Sequence, residues 1–336
     1  MTIRIPAEWE PHACCWMAWA VHAEWRNHVS LVKDELSAVV RTIAQYEPVR
    51  LLAPQSELAE ARARFSGGNI EIIEAPVDDI WMRDIAPTFA LHDGKVVAID
   101  FNFNGWGNTK ERPARPGDRL AATAEDTLGV LRLYAPFIAE GGAFITDGDG
   151  TLITTESCLL NRNRNPFGPE WIRKQKIERT FEKFGVHKVI WLKGDESEPI
   201  TSGHIDGYVL FTAPGALLVE SINDEDGTPP QWRRHDITTL DNTLDAAGRR
   251  LQVEQVYAPR KQFWKFKGAM FAACYLNAYV ANRAVIAACF GDPERDDAAK
   301  EALARAFPQR IIETLRIDHI ANGGGGVHCL TQPTWK

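Results

Sequence analysis

Six polar residues of the kinds that enzymes use in catalysis stand at the start of short apolar segments in this sequence. They supply one thiol, one imidazole, one amide and three carboxylates, and they are Asp84, Glu140, His204, Asp206, Asn277 and Cys329. A thiol and an imidazole in one pocket are the groups that nucleophilic catalysis requires. Taken singly, each residue has a structural explanation, such as a buried thiol or a His–Asp pair. Their recurrence at equivalent places favours one shared site.

The three carboxylates indicate what the thiol would attack. An oxyanion needs hydrogen-bond donors around it, whereas carboxylates are acceptors. A guanidinium is a planar cation whose N–H groups match carboxylate oxygens in pairs. Thiol attack on its central carbon generates no oxyanion. We therefore expect Cys329 to attack a guanidinium carbon and hydrolysis to release ammonia.

The same carboxylates should hinder ionisation of the thiol. A free cysteine has a pKa of about 8.5, and negative charges at Asp84, Glu140 and Asp206 would raise the pKa of Cys329. A bound guanidinium would cancel that effect. We predict a neutral thiol in the empty enzyme and a thiolate that forms when substrate binds, unless a protonated His204 pairs with the thiol.

A metal site is the main chemical alternative. Its ligands would be His204, Asp206, His328 and Cys329. Neighbours in a strand point to opposite faces, and this spacing fits no familiar zinc pattern. We expect no metal and no cofactor. The glycine run 323–326 precedes an apolar segment instead of Lys-Ser or a helix, so it predicts backbone that approaches a ligand closely.

A repeated order of elements would position these residues. Five copies of apolar strand, amphipathic helix and second apolar strand follow one another along the chain. The first strands are 13–19, 96–99, 152–154, 217–219 and 285–287, and the second strands are 49–52, 131–134, 189–192, 251–256 and 311–315. The apolar helix faces are Val32, Leu36, Val39 and Ile43 in the first copy, Ile177, Phe181 and Phe184 in the third, and Ile237, Leu240, Leu244 and Ala247 in the fourth. The second helix is expected near 118–128, and Asp292 with Pro293 begins the fifth.

A further strand precedes each copy and carries the polar residues. These strands are 84–91, 140–145, 204–211, 277–280 and 327–330. The last of them lies near the C-terminus and precedes the first copy only if the chain closes on itself. We therefore predict one domain, 1–336, with five strand–strand–helix–strand units in a ring and the polar residues at its axis. Five unrelated α/β segments in an open sheet are the alternative.

Composition limits the partners that the chain could bind. The formal net charge is −7, which argues against nucleic acid and anionic membranes and suits a small cationic substrate. The six cysteines form no CxxC pair, and residues 1–10 do not resemble a secretion signal, so we expect reduced thiols and a cytoplasmic protein. No apolar run approaches membrane-spanning length. Monomer and homodimer both stay open.

Several motifs resemble agmatine deiminases and the bacterial type of peptidylarginine deiminases. They are 6–12 (PAEWEPH), 79–84 (DIWMRD), 101–107 (FNFNGWG), 140–142 (EGG), 163–166 (NRNP), 203–206 (GHID), 290–293 (FGDP) and 325–332 (GGVHCLTQ). The resemblance spans nearly the whole chain. It implies the pentein fold, a five-bladed α/β propeller, in agreement with the five repeats.

The resemblance also implies a role for each site residue. Cys329 would be the nucleophile, His204 the general acid and base, and Glu140 would position both His204 and the substrate. Asp84 and Asp206 would bind the guanidinium. Further residues of the pocket would be Trp81, Trp106, Asn277 and Gly324. The expected route is an amidino group bound to sulfur, loss of ammonia, and attack by water to give a ureido product.

One segment departs from the family and leaves the substrate open. Residues 195–202 (DESEPITS) stand where agmatine deiminases carry a run resembling Asp-Glu-Thr-Asn. We expect an acidic residue between Asp195 and Glu198 to attract the far end of a cationic substrate. Arginine, peptidyl-arginine and other small guanidino compounds stay open, as does an amidinotransferase, in which an amine replaces water. A non-catalytic binding protein would be expected to lack Cys329 or His204, and neither is missing.

Overall fold

The strands of the chain are short and distributed along its whole length. A computed structural model describes residues 3–107, 115–223 and 227–336. The strands in these residues are β1 (Ile3–Arg4), β2 (His12–Ala18), β3 (Val49–Ala53), β4 (Ile70–Glu74), β5 (Thr88–His92), β6 (Lys95–Asp100), β7 (Arg132–Tyr134), β8 (Phe144–Thr146), β9 (Thr151–Thr155), β10 (Lys188–Leu192), β11 (Val209–Ala213), β12 (Ala216–Ser221), β13 (Gln252–Tyr257), β14 (Tyr279–Val280), β15 (Ala284–Cys289), β16 (Ile311–Arg316) and β17 (Gln332–Trp335).

Long and very short helices alternate between the strands. The α-helices are α1 (Val29–Ile43), α2 (Leu58–Arg64), α3 (Met82–Ile85), α4 (Ala124–Leu128), α5 (Glu156–Leu159), α6 (Glu170–Lys183), α7 (Gln231–Asp241), α8 (Pro293–Ala306) and α9 (Asp318–Ala321). Turns of 3₁₀ helix occupy Ala23–His28, Pro116–Arg119, Gly141–Ala143, Lys261–Phe263 and His328–Leu330. Of the helices in the described residues, none has the length and apolarity needed to cross a membrane.

The strands form five sheets of the same design within the described residues. In each sheet an inner strand pairs antiparallel with a middle strand, which pairs parallel with an outer strand. From inner to outer, these three strands are β5-β6-β7, β8-β9-β10, β11-β12-β13, β14-β15-β16 and β17-β2-β3. Two sheets have a fourth strand, since β1 pairs with β5 and β4 pairs with β3. The fifth sheet joins the C-terminal strand β17 to β2, with Gln332 opposite Trp16. The predicted ring of five strand–strand–helix–strand units is therefore confirmed.

Apolar faces hold the units together. In α1, Val32, Leu36, Val39 and Ile43 have no exposed surface, as the 3.6-residue period predicted. Each middle strand lies between two others, so most of its residues are buried, and all five of β9 are buried. The N-terminus of α8 is also as predicted, since the Asp292 side chain accepts from the Arg295 backbone N–H and Pro293 follows it.

Two predicted helices were partly wrong. The fourth was expected to continue through Ala247, but α7 ends at Asp241 and Leu244 is 48% exposed. The Asp245 carboxylate accepts from the Ala247 and Arg249 backbone N–H groups, and this local turn replaces helical bonds. The second, expected near 118–128, is divided into the 3₁₀ turn Pro116–Arg119 and α4.

The predicted starts of the inner strands were wrong in a consistent way. Each of the polar residues was placed inside its strand, but the inner strands begin two to five residues later. Asp84 lies in α3, and Cys329 lies in the 3₁₀ turn His328–Leu330 ahead of β17. Glu140 immediately precedes a 3₁₀ turn. A turn lets neighbouring side chains point toward one place, whereas a strand would alternate them between its faces.

Candidate active site

Residues that precede all five inner strands meet in one buried site. Asp84 comes before β5, Glu140 before β8, His204 and Asp206 before β11, Asn277 before β14 and Cys329 before β17. The four acid–base residues Asp84, Glu140, His204 and Asp206 are each 8% exposed or less, and Cys329 is half-buried. The structure therefore brings together the six residues that the repeat pattern placed at the axis.

The Cys329 thiol lies between an amide and a carboxylate. Asn277 Nδ2 donates to Cys329 Sγ at 3.2 Å, and the Cys329 backbone N–H donates to Asn277 Oδ1 at 3.3 Å. Sγ is 3.6 Å from Asp206 Oδ2. Burial, followed by the charges of Asp206 and Asp84, raises the pKa of Cys329 well above its usual value, although the Gly326 N–H and Asn277 oppose this. The predicted direction is confirmed, but burial is its largest cause and Glu140 is not among the main ones.

His204 is enclosed by three carboxylates. Its Nε2 is 2.8 Å from Glu140 Oε1, and its Nδ1 is 3.8 Å from Asp206 Oδ1 and 4.0 Å from Asp84 Oδ2. Burial alone would lower the pKa of His204, but Asp84 and the contacts with Cys158 and Glu140 raise it well above its usual value. The imidazole is therefore protonated at neutral pH and is equipped to donate a proton.

Glu140 is anchored by a buried arginine. Arg164 donates to Glu140 Oε1 from Nε at 2.8 Å and from Nη2 at 2.5 Å, and neither side chain is exposed. Burial would raise the pKa of Glu140, but Arg164 and His204 lower it to about 2. Glu140 is thus a permanent anion at the pH of the cell. Its other oxygen, Oε2, is buried and has no hydrogen-bond partner among the residues that the structure describes.

Asp84 is held by neutral donors. Trp106 Nε1 donates to Asp84 Oδ2 at 2.8 Å, and the Gly142 backbone N–H donates to Asp84 Oδ1 at 2.9 Å. Trp106 was predicted to line the substrate pocket, and the structure places it as a hydrogen-bond donor to this carboxylate. A Cβ atom at Gly142 would lie 2.5 Å from His204 Nδ1 and 3.0 Å from Asp206 Oδ2. Only glycine therefore fits between the acid–base groups.

The glycine run forms a second wall of the site. Gly324 has a φ of +94° and lies against Ile200, so a Cβ atom there would lie 2.0 Å from the isoleucine Cδ1. A Cβ atom at Gly325 would lie 2.5 Å from the Trp81 ring and 3.1 Å from Cys329 Cβ. In the structure this backbone closely approaches side chains of the chain itself, and its approach to a ligand stays a prediction.

The segment that departs from the family folds back on itself beside His204. Asp195 Oδ1 accepts from the Ser197 N–H and hydroxyl at 2.9 and 2.6 Å. Glu198 accepts from the backbone N–H groups of Ile200 and Thr201 at 3.0 and 2.5 Å. Glu196 is exposed. Two of the three acidic side chains in the segment therefore stabilise their own loop.

His328, a residue of the alternative metal site, contacts two carboxylates. His328 faces Asp206 Oδ2 through Nδ1 at 2.7 Å and Glu8 Oε1 through Nε2 at 3.3 Å, so both of its ring nitrogens are engaged. Within the described residues, a different group has metal-ligating atoms within 4.8 Å of one another, namely Glu140, Cys158 and His204. Arg164 and His204 both contact Glu140 Oε1, so this oxygen is already engaged by two side chains.

Sequence reasoning gave no role in the expected reaction to four residues that shape the site. They are Glu8, Gly142, Arg164 and His328. Arg164 lies inside the NRNP motif, and a buried arginine requires an acidic partner, so that motif carried a usable signal. Glu8 lies more than 300 residues from His328 in the chain, and nothing in the local sequence indicates that contact.

Fold and site define the class of protein: a pentein, in which five α/β units surround a cysteine, a histidine and three carboxylates. The chain belongs to the Porphyromonas-type peptidyl-arginine deiminase family, whose model matches residues 4–334. The predicted family and fold class are confirmed.

The chain is also similar to agmatine deiminases over nearly its whole length. The chain is 34% identical to an agmatine deiminase of Pseudomonas aeruginosa, over 98% of this chain and 94% of the relative. It is 33% identical to an agmatine deiminase of Ectopseudomonas mendocina, again over 98% and 94%. A solved structure described as the agmatine deiminase of Enterococcus faecalis catalysing its reaction superposes with a TM-score of 0.91 at 29% identity, covering 99% of this chain and 96% of the other.

Proposed function

We propose that this chain hydrolyses the guanidinium group of agmatine to a ureido group and ammonia, with Cys329 as the nucleophile. The observation that carries the proposal is a thiol 3.6 Å from the Asp206 carboxylate, in a buried site that also holds Asp84 and Glu140. Such a site binds a cation and has no use for an oxyanion. The names of the relatives support agmatine as the substrate.

The first half of the reaction forms a bond between sulfur and carbon. Asp84 and Asp206 would bind the guanidinium N–H groups, and Glu140 would hold both the substrate and His204. The bound cation would lower the pKa of Cys329, which burial and the two aspartates raise in the empty site. The thiol proton passes to solvent water, and the thiolate attacks the central carbon. As the carbon–nitrogen bond breaks, His204 donates its proton and ammonia leaves.

The second half returns the enzyme to its starting state. His204, now neutral, would take a proton from water while the oxygen attacks the amidino carbon. The carbon–sulfur bond breaks, the remaining hydroxyl proton returns to the thiolate, and the product carries a ureido group. Because Asp84, Glu140 and Asp206 remain around the carbon, no oxyanion hole is needed in either half.

The unit that carries out this chemistry is the single domain 1–336. All six polar residues of the site come from one chain, so a homodimer would leave the proposed chemistry unchanged. The finer proposal, that the protein works in the cytoplasm on a small cationic substrate, is supported by its six free cysteines and its net charge of −7.

Ammonia release from a panel of substrates tests the proposal. Agmatine, arginine and a blocked arginyl peptide are each incubated with the wild type, with Cys329→Ala and with Cys289→Ala as the matched control. We expect ammonia from agmatine, a Cys329→Ala rate below a tenth of wild type (more than about 1.4 kcal/mol of barrier), and an unchanged rate for the control. Activity should survive dialysis against a strong chelator.

Other outcomes would overturn parts of the proposal. Faster turnover of arginine or of the peptide would reassign the substrate. Release of a putrescine-like amine from agmatine, together with transfer of the amidino group to an added amine, would indicate an amidinotransferase. Full activity of Cys329→Ala would remove the nucleophile assignment, and activity that returns only with added zinc would make the reaction metal-dependent.

A further inference from the structure

The three carboxylates of the site are supported in different ways. Glu140 is bound by the Arg164 guanidinium, and Asp84 is bound by the uncharged Trp106 and Gly142 N–H groups. Asp206 Oδ2 is 2.7 Å from His328 Nδ1. Asp206 is also the carboxylate nearest the Cys329 thiol, at 3.6 Å. The group behind Asp206 therefore acts on both the guanidinium site and the nucleophile.

His328 has carboxylate oxygens at both ends of its ring. Nδ1 faces Asp206 Oδ2, and Nε2 is 3.3 Å from Glu8 Oε1. A carboxylate accepts hydrogen bonds and a neutral imidazole has one N–H group, so both contacts are made only when both nitrogens carry protons. The side chain is 4% exposed. Geometry alone therefore indicates a buried imidazolium.

Glu8 is held in place as the counter-ion of this imidazolium. Arg83 Nη1 donates to Glu8 Oε1 at 2.7 Å, and His12 Nε2 is 3.0 Å from the Glu8 backbone oxygen. Arg83 Nε also reaches the His328 backbone oxygen at 3.4 Å. Glu8 borders a cavity of about 40 Å³ that Arg83 and Gln332 also line, and glutamine, which has the shape of glutamate, fits at this position.

The charges that face His328 come from three elements. Glu8 and Asp206 favour the imidazolium, and Arg83 opposes it. Burial and Arg83 lower the pKa of His328, but Glu8 and Asp206 outweigh them and raise it. The hydrogen bond with His328 and the charge of His328 lower the pKa of Asp206, which burial alone would raise. The effects agree with the protonation that the geometry requires.

We propose that His328 is a positioning residue for the reaction: as an imidazolium between Glu8 and Asp206, it keeps Asp206 ionised and aligned beside the Cys329 thiol. Glu8 keeps His328 charged and so affects Asp206 indirectly, through His328. The part of the inference that concerns catalysis rests on the proposed function, whereas the charge of His328 does not. Asp206 thus has a dedicated cation, as Glu140 has Arg164.

The first test measures the charge of His328 directly. A ¹⁵N–¹H spectrum of wild-type protein with labelled histidine is recorded between pH 6 and 9, and His328→Asn identifies the resonances. We expect both ring nitrogens of His328 to carry protons at pH 8, and Glu8→Gln to move loss of one proton to lower pH. A neutral His328 at pH 8 in the wild type would overturn the inference, whatever the enzyme's substrate.

The second test measures kcat/KM for agmatine against pH. His328→Asn keeps a donor toward Asp206 and removes the charge, so its rate should fall at least tenfold at pH 6 and less at pH 9. Glu8→Gln should lower the rate only above the pH at which its His328 loses a proton in the first test, and Glu10→Gln, whose carboxylate binds Arg4 and the Ala7 backbone N–H on the same segment, should not. An equal loss at every pH, or none, would make His328 merely structural.

One further measurement distinguishes a loss of binding from a loss of folding. Binding of methylguanidinium to Cys329→Ala, with and without His328→Asn, is followed by calorimetry at pH 6 and pH 9. Weaker binding at pH 6 in the double variant supports the positioning role even if the substrate assignment fails. Equal binding in both proteins would overturn it, and thermal unfolding of each variant shows whether the fold is intact.

Discussion

Cys329 and His204 are linked through Asp206, whose oxygens lie 3.6 Å from the thiol sulfur and 3.8 Å from the imidazole Nδ1. The pKa of Cys329 is raised, chiefly by burial, so the empty site holds a neutral thiol. The pKa of His204 is raised by Asp84, so the imidazole already carries its proton. A guanidinium supplies the positive charge that the thiol lacks. Substrate binding would therefore generate the nucleophile.

Alkylation of Cys329 measures this coupling. Iodoacetamide should modify the thiol slowly in the free enzyme at pH 7, because little thiolate is present. A small amidinium that fills the guanidinium site without covering sulfur should accelerate the reaction, since one nearby charge is worth roughly 4 kcal/mol at an effective dielectric near 20. Rates are read by mass spectrometry of the Cys329 peptide, with Cys289 in the same sample as the reference.

The reference thiol makes the result interpretable. Cys289 is also a free cysteine, and burial raises its pKa to about 11, but none of its main electrostatic neighbours is a site carboxylate. An amidinium that accelerates both thiols equally acts on the reagent and not on the site. An apparent pKa below 7 for Cys329 in the empty enzyme would indicate a preformed thiolate–imidazolium pair.

Asp84 should set the acid limit of activity. Burial, together with Glu140 and Asp206, raises its pKa, while His204 and the Trp106 N–H oppose the rise. A protonated Asp84 binds the guanidinium less well, so kcat/KM falls as the pH drops through this raised pKa. Trp106→Phe removes a hydrogen bond to a charged group, worth about 1.5–3 kcal/mol, and should move the acid limb upward by roughly one to two pH units.

The control for Trp106 is the exposed Trp171, which is 65% exposed on α6. Trp171→Phe should leave the pH profile of kcat/KM in place. If Trp106→Phe lowers the rate equally at all pH values, the indole shapes the pocket and does not tune Asp84. Thermal unfolding at pH 8 checks that both proteins are folded.

At the scale of single residues, the sequence indicated which residue types form the site but not which residues they contact. The thiol, the imidazole and the three carboxylates could be found because they recur in phase with the apolar segments. Arg164, Gly142 and His328 could not be given roles in the expected reaction, because their contacts join segments far apart in the chain. A hydrogen bond between distant segments leaves no periodic trace in a single sequence.

At the scale of elements, the Glu198 side chain holds together the loop ahead of His204. Glu198 Oε2 accepts from the Thr201 N–H and hydroxyl at 2.5 and 2.6 Å, and the Thr201 hydroxyl accepts from the His204 N–H at 3.1 Å. Arg164 Nη2 donates to the Thr201 carbonyl at 2.7 Å. The loop therefore connects the supports of His204 and Glu140.

This arrangement divides the two acidic residues of the loop into different roles. Glu198→Ala should lower kcat/KM for agmatine and for butylguanidine by the same factor, at least tenfold, because several hydrogen bonds to one carboxylate are lost. Glu196→Gln should lower only the value for agmatine, whose tail is cationic, because Glu196 is exposed. Both constants are measured for both variants. If the ratio of kcat/KM for agmatine to kcat/KM for butylguanidine were unchanged in Glu196→Gln, this residue would not recognise the cationic tail.

The errors in the predicted elements have a physical explanation. Apolar runs located the strands, but polar residues before them were assigned to the strands because nothing in the pattern separates a turn from an extended start. In each unit the chain turns for two to five residues before the inner strand. Those turns direct Asp84, Glu140, His204, Asp206 and Cys329 toward one place, which no strand register would do.

At the scale of the molecule, the ring is closed by its last strand. Gln332 Nε2 donates to the Pro87 carbonyl at 2.8 Å, and Trp335 Nε1 donates to the Phe89 carbonyl at 3.3 Å. Together with its pairing to β2, β17 joins the first sheet to the fifth. Closure therefore places Cys329, seven residues from the C-terminus, beside residues from every other sheet.

Removal of residues 331–336 tests whether closure holds the whole molecule. The truncated chain keeps all six polar residues of the site but loses Trp335, which is 5% exposed. Burial of one aromatic side chain covers roughly 150–250 Å², or about 4–6 kcal/mol at about 25 cal/mol per Å². Domains of this kind are stable by about 5–15 kcal/mol, so we expect loss of cooperative unfolding and of ammonia release, whereas deletion of the exposed Lys336 alone should change neither. A truncated protein with the wild-type melting temperature would show that the other four sheets hold the ring without their closing strand.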